Sequence, residues 1–397
     1  MNTIQAAAVK VDITPSDVLH TYLAGFMPNR KATGIAEPIM ARILYMEDAN
    51  GPMAWITADL IGLMLPDTDE LKTHIKGIKP ERILFISTHV HSGPDTMGLW
   101  GKSFKEIPYK TGRDKKYMTW MYGQIADGVA AAMRQKRPAL IGFGQDKSDK
   151  SKWTINIRQQ GYHDHTMAIM RVDGEDGKPI ACLVNYACHP EVLWDQNTLI
   201  SPDYIHYLRE EVEKNTGALS LFANAALGGM VTANLPDKTP LHERKVFVKE
   251  MGKALGKIAA DTWASAKPEA VKEIKHLYKR FDAPFKNNLL FIMAVAGVFK
   301  RKVRLKKVET CLHVFRIGKA QFATLPGEPL PAIGFAAKDL LRGEPKFLFG
   351  LGDDELGYLL NSVQANDQIY KYERSVSIGP DGAEAILATL SEMAASI

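Results

Sequence analysis

Arg82-Ile83-Leu84-Phe85-Ile86-Ser87, followed at once by Thr88-His89-Val90-His91-Ser92-Gly93-Pro94, is the stretch from which the rest of the chain can be read. A run this short and this apolar, bounded by turn residues, predicts a fully buried strand. It delivers His89 and His91 just beyond its end. Residues two apart on an extended chain point to the same side, so both imidazoles are expected to reach one point. Gly93 and Pro94 then turn the chain, which leaves the pair at a sheet edge, where α/β proteins place their sites.

Working outward, short β-rich runs alternate with amphipathic segments. Strands are predicted at 8–13, 40–45, 54–58, 83–87, 141–144, 166–172, 180–185 and 219–222, and helices at 67–76, 115–134, 203–214, 241–266, 330–341 and 383–393. The second helix carries Met118, Met121, Ile125 and Val129 at the spacing of a core-facing stripe. The alternation predicts an α/β fold with a mixed sheet core flanked by helices. Residues 268–308 break the rhythm with dense charge and weak periodicity, and are expected to be an inserted basic and apolar lid.

A chain of 397 residues with 46% apolar and 24% charged content can bury a sizeable core and is not disordered. The net charge of +5 is concentrated between Lys272 and Lys307, a stretch that reads as a solvated basic connector or as a face for an acidic partner. No nucleic-acid recognition motif accompanies it. Cys182, Cys188 and Cys311 cannot form a disulfide framework. The N-terminus from Met1 to Ala8 lacks a secretory signal, so the protein is expected in the cytoplasm, or exported after losing a leader. The most apolar run, Leu289 to Phe299, is too short to span a bilayer. A buried helix is the favoured reading for it. The alternative, given the basic flank Lys300-Arg301-Lys302-Val303-Arg304, is an interfacial element touching a membrane surface through 289–307.

Imidazole is the commonest metal ligand, but a bare H-x-H also fits two histidines that merely make hydrogen bonds. Known patterns in which Asp and His follow the pair at once are excluded by Ser92, Gly93 and Pro94, and the broken rhythm after 268 counts against a barrel amidohydrolase. A second histidine, His189 in Asn185-Tyr186-Ala187-Cys188-His189-Pro190, again follows a strand directly. A Gly-rich turn within Phe222 to Asn234 either offers backbone N–H groups to an oxyanion or is simply structural. In Leu325-Pro326-Gly327-Glu328-Pro329, Glu328 either serves the N-terminus of the next helix or is a ligand.

In this order the segments resemble the catalytic domain of the neutral, or non-lysosomal, ceramidases. That family shows T-H-x-H-S/G-G-P, N-x-x-C-H-P, a G-D-x-S-P-N turn, P-G-E, and a G-Y or H-Y segment followed by a Y-E segment; here the last two are Leu356-Gly357-Tyr358 and Tyr372-Glu373-Arg374-Ser375. The resemblance spans nearly the whole chain and implies one zinc hydrolase domain over 1–397. It implies a zinc ion held by His89, His189, Glu328 and Tyr358, with His91 and Tyr372 facing the substrate carbonyl, Tyr370 competing for the latter role, and Arg158 of Asn156-Ile157-Arg158 lining the site. Thr232, counted among the catalytic candidates, stands where the family has the serine of its turn, and Met230 replaces that turn's aspartate. Full ceramidases continue into a C-terminal β-rich domain, which this protein is expected to lack. The implied reaction is hydrolysis of an N-acyl lipid amide by a zinc-activated water. The other readings are a zinc hydrolase of a small non-lipid amide or ester, and a binding module that has lost its metal. Oligomeric state is not legible in the sequence.

Overall fold

A computed structural model describes residues 3–104, 107–295, 297–298 and 300–397. Met1 and Asn2 of the expected N-terminus, and Ala296 and Phe299 of the apolar run, lie outside the described residues. Eight strands form the principal sheet: β1 (Gln5–Asp12), β2 (Met40–Asp48), β3 (Gly51–Ala58), β4 (Ile83–Ser87), β5 (Arg137–Asp146), β6 (Met167–Gly174), β7 (Pro179–Tyr186) and β8 (Leu219–Asn224). Their order is β8-β7-β6-β5-β1-β2-β3-β4, so the strand read first is an edge strand. The interior pairings are antiparallel and the two outermost, β3 with β4 and β7 with β8, are parallel. The sheet is mixed, as the sequence predicts.

Seven helices of eight or more residues occur among the described residues: α1 (Leu65–His74), α2 (Lys115–Gln135), α3 (Tyr204–Thr216), α4 (Leu241–Ser265), α5 (Asn288–Val295), α6 (Pro331–Leu340) and α7 (Pro380–Ala395). Parallel neighbours require a crossover, and α1 and α3 supply it at the two ends of the sheet. Side chains alternate across each strand. Ile43 and Tyr45 of β2 join the core beneath α2, whereas Leu44 and Met46 point the other way. The first face is covered by α2 on one half and by α3 and α4 on the other.

The opposite face packs against a second sheet that the sequence reading did not anticipate. It consists of β9 (Ile274–Pro284), β10 (Lys307–Ile317), β11 (Ala320–Leu325) and β12 (Lys346–Gly350), in that order, with α6 and α7 on its outer side. Trp55 of β3 is the plug between the sheets, its ring centroid 5.0 Å from that of Phe315 and 5.2 Å from that of Phe322. The result is four layers, helix, sheet, sheet, helix.

Two expectations change here. The segment expected as a lid contains β9, whose eleven residues pair in continuous register with β10, so only the stretch between β9 and β10 is left to serve as one. Its charge misled because an edge strand keeps Lys and Arg on its open side. Within that stretch, the apolar run is not a buried helix: Leu289, Ile292 and Val295 of α5 are each more than 60% exposed. No described helix is long and apolar enough to cross a membrane.

The two edges of the principal sheet approach each other where β4 and β8 end. Asn224, the last residue of β8, donates from Nδ2 to the carbonyl of Thr88 (2.8 Å) and accepts at Oδ1 from the N–H of Cys188 (3.1 Å). A second tie runs from β4 to the loop after β12. Asp353 there is buried, accepts from the Phe85 N–H (2.9 Å), from Lys72 Nζ (2.5 Å) and from His313 Nε2 (2.7 Å), and donates its own N–H to the Phe85 carbonyl (2.7 Å). Cys311 lies beside it, but the ammonium of Lys72 already neutralises the carboxylate, so the group is a structural knot.

Candidate active site

The segments that leave β4, β7, β8 and β11 meet at one seam. His89 follows β4 but is not extended: its φ is +69°, so the same-side argument for His89 and His91 does not hold. Their rings nevertheless lie 4.9 Å apart by centroid, because the left-handed residue turns the chain toward the seam. His189, three residues past β7, brings its ring to 5.1 Å from His89 and 5.7 Å from His91.

Each of the two expected histidine ligands is oriented from behind. His89 Nδ1 lies 2.7 Å from the Ile61 carbonyl and His189 Nδ1 lies 3.1 Å from the Val231 carbonyl, which fixes Nδ1 as the protonated nitrogen and turns each Nε2 forward. Both Nε2 atoms converge on one oxygen, Glu328 Oε2, at 3.3 Å and 3.1 Å. Glu328 arrives on a two-residue strand whose partner is Tyr358–Leu359, in a register that places Glu328 opposite Tyr358. It does not cap α6, whose N-terminus receives no side-chain cap. The Gly-rich turn supports this segment. Gly228 donates its N–H to the Pro329 carbonyl (2.9 Å), and a Cβ on Gly228 would lie 2.3 Å from the Glu328 carbonyl oxygen. The N–H groups of Ala225, Leu227 and Val231 are likewise used by carbonyls, so the turn is structural in its visible contacts.

His91 is held differently. Neither ring nitrogen makes a well-formed hydrogen bond, although Nδ1 stands 3.4 Å from Glu191 Oε2. Phe26 packs edge-on against the ring at 5.1 Å, and Arg30 clamps the backbone by donating to the carbonyls of both Ala24 and His91. Gly25, at φ +100°, passes so close that a Cβ there would lie 2.4 Å from His91 Cγ.

Above the cluster opens a pocket walled by Ile61, Met64, Leu99, Phe285, Leu290 and Ile378, with Tyr358 and Tyr372 at the polar end. Tyr372 lines it and Tyr370 does not; the Tyr370 hydroxyl turns away to Gln159 (3.5 Å). Tyr358 is buried, and its hydroxyl has Met230 Sδ as neighbour at 3.7 Å. Arg158 binds the buried Glu373, Nε to Oε1 at 2.7 Å, and lies outside the pocket wall. Thr232 sits opposite Ile155 in a short strand pair, also outside the wall. Glu191 and Glu355 are at the centre yet were not singled out from sequence. Glu191, two residues after His189, carried a usable signal; Glu355 carried none.

Electrostatics follow from burial and crowding. Burial alone would raise the Glu328 carboxyl, but His89 and His189 beside it hold it well below the usual range. Burial would lower His189, yet Glu328 and Glu191 lift it to about 9. His91 is pushed well down by burial and by the neighbouring histidines, so it is neutral at pH 7. Tyr372 is half exposed, but desolvation on its pocket side and the nearby Glu328 push its hydroxyl up to about 12.

Two forward-facing imidazole nitrogens, a carboxylate oxygen between them and a phenol in the same pocket form a donor set that could hold a metal ion, and the backing carbonyls are what such ligands require. One imidazole nitrogen from each of His89, His91 and His189 falls within 4.8 Å of the others, as do a nitrogen of His89 and a carboxylate oxygen from each of Glu328 and Glu355.

Comparison with solved structures finds a similar fold among ceramidases. The neutral ceramidase from Pseudomonas aeruginosa superposes with a TM-score of 0.78 at 17% identity, covering 100% of this chain and 74% of that one. A ceramidase complexed with C2 gives a TM-score of 0.79 at 16% identity, covering 100% and 75%. No family model and no curated protein matches the sequence. The fold is therefore that of the neutral ceramidases.

Proposed function

We propose that the protein is a zinc-dependent hydrolase of N-acyl lipid amides of the ceramide type. The observation that carries this is the convergence of His89 Nε2 and His189 Nε2 on Glu328 Oε2 at the floor of an apolar pocket. His89, His189, Glu328 and Tyr358 are the ligands. A zinc ion held there supplies a water acidified to a pKa of about 7 and a Lewis acid for the carbonyl.

The chain's own groups divide the remaining work. The apolar wall takes the acyl chain and excludes water. His91, neutral through burial, accepts a proton at the nitrogen facing the cluster and returns it to the departing amine, while Glu191 beside Nδ1 steadies the imidazolium in between. Tyr372 stays protonated and donates to the carbonyl oxygen as negative charge grows on it. Arg158 acts from outside the wall, through Glu373, which precedes Ser375 in the same short helix as Tyr372.

The helix α5 favours a lipid over a small polar amide. Leu290 faces the pocket, whereas Leu289, Ile292 and Val295 face solvent, and Lys302 and Arg304 follow in the sequence, Lys300 being paired with Glu70 and Asp67. An apolar face with basic neighbours suits contact with an anionic lipid surface through residues 289–307.

The test combines metal content with product analysis. Wild type is expected to bind zinc and release fatty acid from an N-acyl-sphingosine, and His89→Ala and His189→Ala to lose both. Zinc binding unchanged in both variants refutes the ligand set. Turnover of short polar amides or esters alone transfers the site to the second substrate class, and full zinc occupancy without turnover of either leaves a binding module.

A further inference from the structure

Glu355 is the buried acid that the mechanism leaves unused. It is 4% exposed, and its two oxygens have different fates. Oε1 accepts from the N–H of Gly357 at 2.7 Å, while Oε2 is buried with no hydrogen-bond partner. Its stem is packed from behind, since a Cβ on Gly62 would meet Glu355 Cγ at 3.1 Å and Met97 Sδ at 3.1 Å. Its head lines the pocket, with ligand atoms of His89, Glu328 and Glu355 all within 4.8 Å of one another.

The nearest fixed cation is already committed. Arg301 donates to both oxygens of Asp354, at 3.2 Å and 2.5 Å, and to the backbone carbonyl of Glu355 at 2.9 Å. Two carboxylates are thus brought together in a buried place: Glu328 has the imidazoles of His89 and His189 as partners, while the free oxygen of Glu355 has none, and a cation between the two would satisfy it. A carboxylate with one oxygen tied to a backbone N–H and the other free and facing imidazole nitrogen is also how a metal-ligating carboxylate is normally held.

We propose that Glu355 is a further ligand of the metal centre, giving two histidines and two carboxylates with Tyr358. This rests on the zinc-site reading above. Two carboxylates balance the charge of a divalent cation, and the oxygen-richer set raises the coordination number above four. The loop that Asp353 ties to β4 therefore positions a ligand as well as closing the core.

The test uses the full-length chain stripped with chelator and titrated with zinc by competition against a chromophoric chelator. Glu355→Gln keeps the acceptor for Gly357 and is expected to weaken zinc binding at least tenfold. The metal-free variant is expected to melt no lower than metal-free wild type, because one of two crowded carboxylates is gone. With cobalt in place of zinc, the visible absorption of wild type is expected to be that of a site of more than four ligands, and to intensify in Glu355→Gln as the site becomes four-coordinate. Unchanged zinc affinity in Glu355→Gln overturns the proposal, as does weakened affinity with an unchanged cobalt spectrum, which would make Glu355 a bystander charge. His89→Ala separates the two levels of inference. If it too binds zinc normally, the site itself is wrong; if it alone loses zinc, only Glu355 is.

Discussion

Replacing Gly25 by alanine tests whether His91 works from the position it holds. The added Cβ would sit 2.4 Å from His91 Cγ, 2.6 Å from Nδ1 and 2.7 Å from Cβ. Carbon atoms rest at about 3.5–4.0 Å, so the ring must retreat by roughly 1 Å. A displacement of ~1 Å in a group that handles the reacting proton costs about 100-fold in rate. The backbone at φ +100° adds about 1–2 kcal/mol of strain for a residue with a Cβ, and crowding adds about 1–3 kcal/mol. Gly25→Ala should therefore lower kcat/KM about 100-fold and lower the melting temperature, while leaving zinc content intact because His89, His189 and Glu328 are not touched. The decisive measurement is the double variant. Once His91→Ala has removed the ring, adding Gly25→Ala should cost stability but no further activity. Wild-type activity in Gly25→Ala, or a second large loss in the double variant, would show that the ring's position is not what Gly25 protects.

Asp353→Asn leaves the Lys72 ammonium buried without its counter-charge and should cost about 3–5 kcal/mol at pH 7. Burial opposes ionisation of Asp353, but Lys72 and His313 hold its folded carboxyl well below the unfolded value. Its contribution is therefore complete above the unfolded value of about 4 and is lost as pH falls toward the depressed one, so denaturant melts of wild type and variant should converge below about pH 4. Leu289→Glu with Ile292→Glu removes two exposed apolar side chains from α5 that do not line the pocket. Sedimentation with anionic vesicles should fall at least tenfold, with hydrolysis of a soluble short-chain amide unchanged. Arg158→Ala strands Glu373, which is fully buried, and should lower stability by about 2–4 kcal/mol in urea titration. If Arg158 also steers Tyr372, kcat falls in Arg158→Ala and partly recovers in Arg158→Lys.

The principal sheet was legible because most of its strands, though not β1 or β5, are buried on both faces and announce themselves as β-rich runs ending at turns. β4 forms with the bounds read for it, and the helix at 115–134 forms as α2 with Met118, Met121, Ile125 and Val129 buried. The second sheet was not legible, since β9 carries Lys275, Lys279 and Arg280 on exposed or partly exposed positions and looks like a connector. Its role depends on Trp55 and Phe315 meeting across layers, a contact with no local trace. His89, His91 and His189 could be singled out because each follows a strand. Their actual geometry depends on a left-handed backbone at His89 that no residue type dictates. Glu355 escaped notice because Asp353-Asp354-Glu355 reads as an ordinary acidic turn, and only the fold shows that the three carboxylates face a lysine, an arginine and the histidine cluster respectively.

The bond from Asn224 to Thr88 joins strands at opposite ends of one eight-stranded sheet. His89, His189 and Glu328 stand on either side of that join, so no contiguous piece of the chain contains the centre. Assembly of the donor set must then come late, after both halves of the large sheet and the smaller sheet have docked. A bound ion would act as a clasp across the seam, slowing its opening far more than it speeds its closing. Resistance to proteolysis, followed as zinc is added, should accordingly track the slowest unfolding step of the whole molecule.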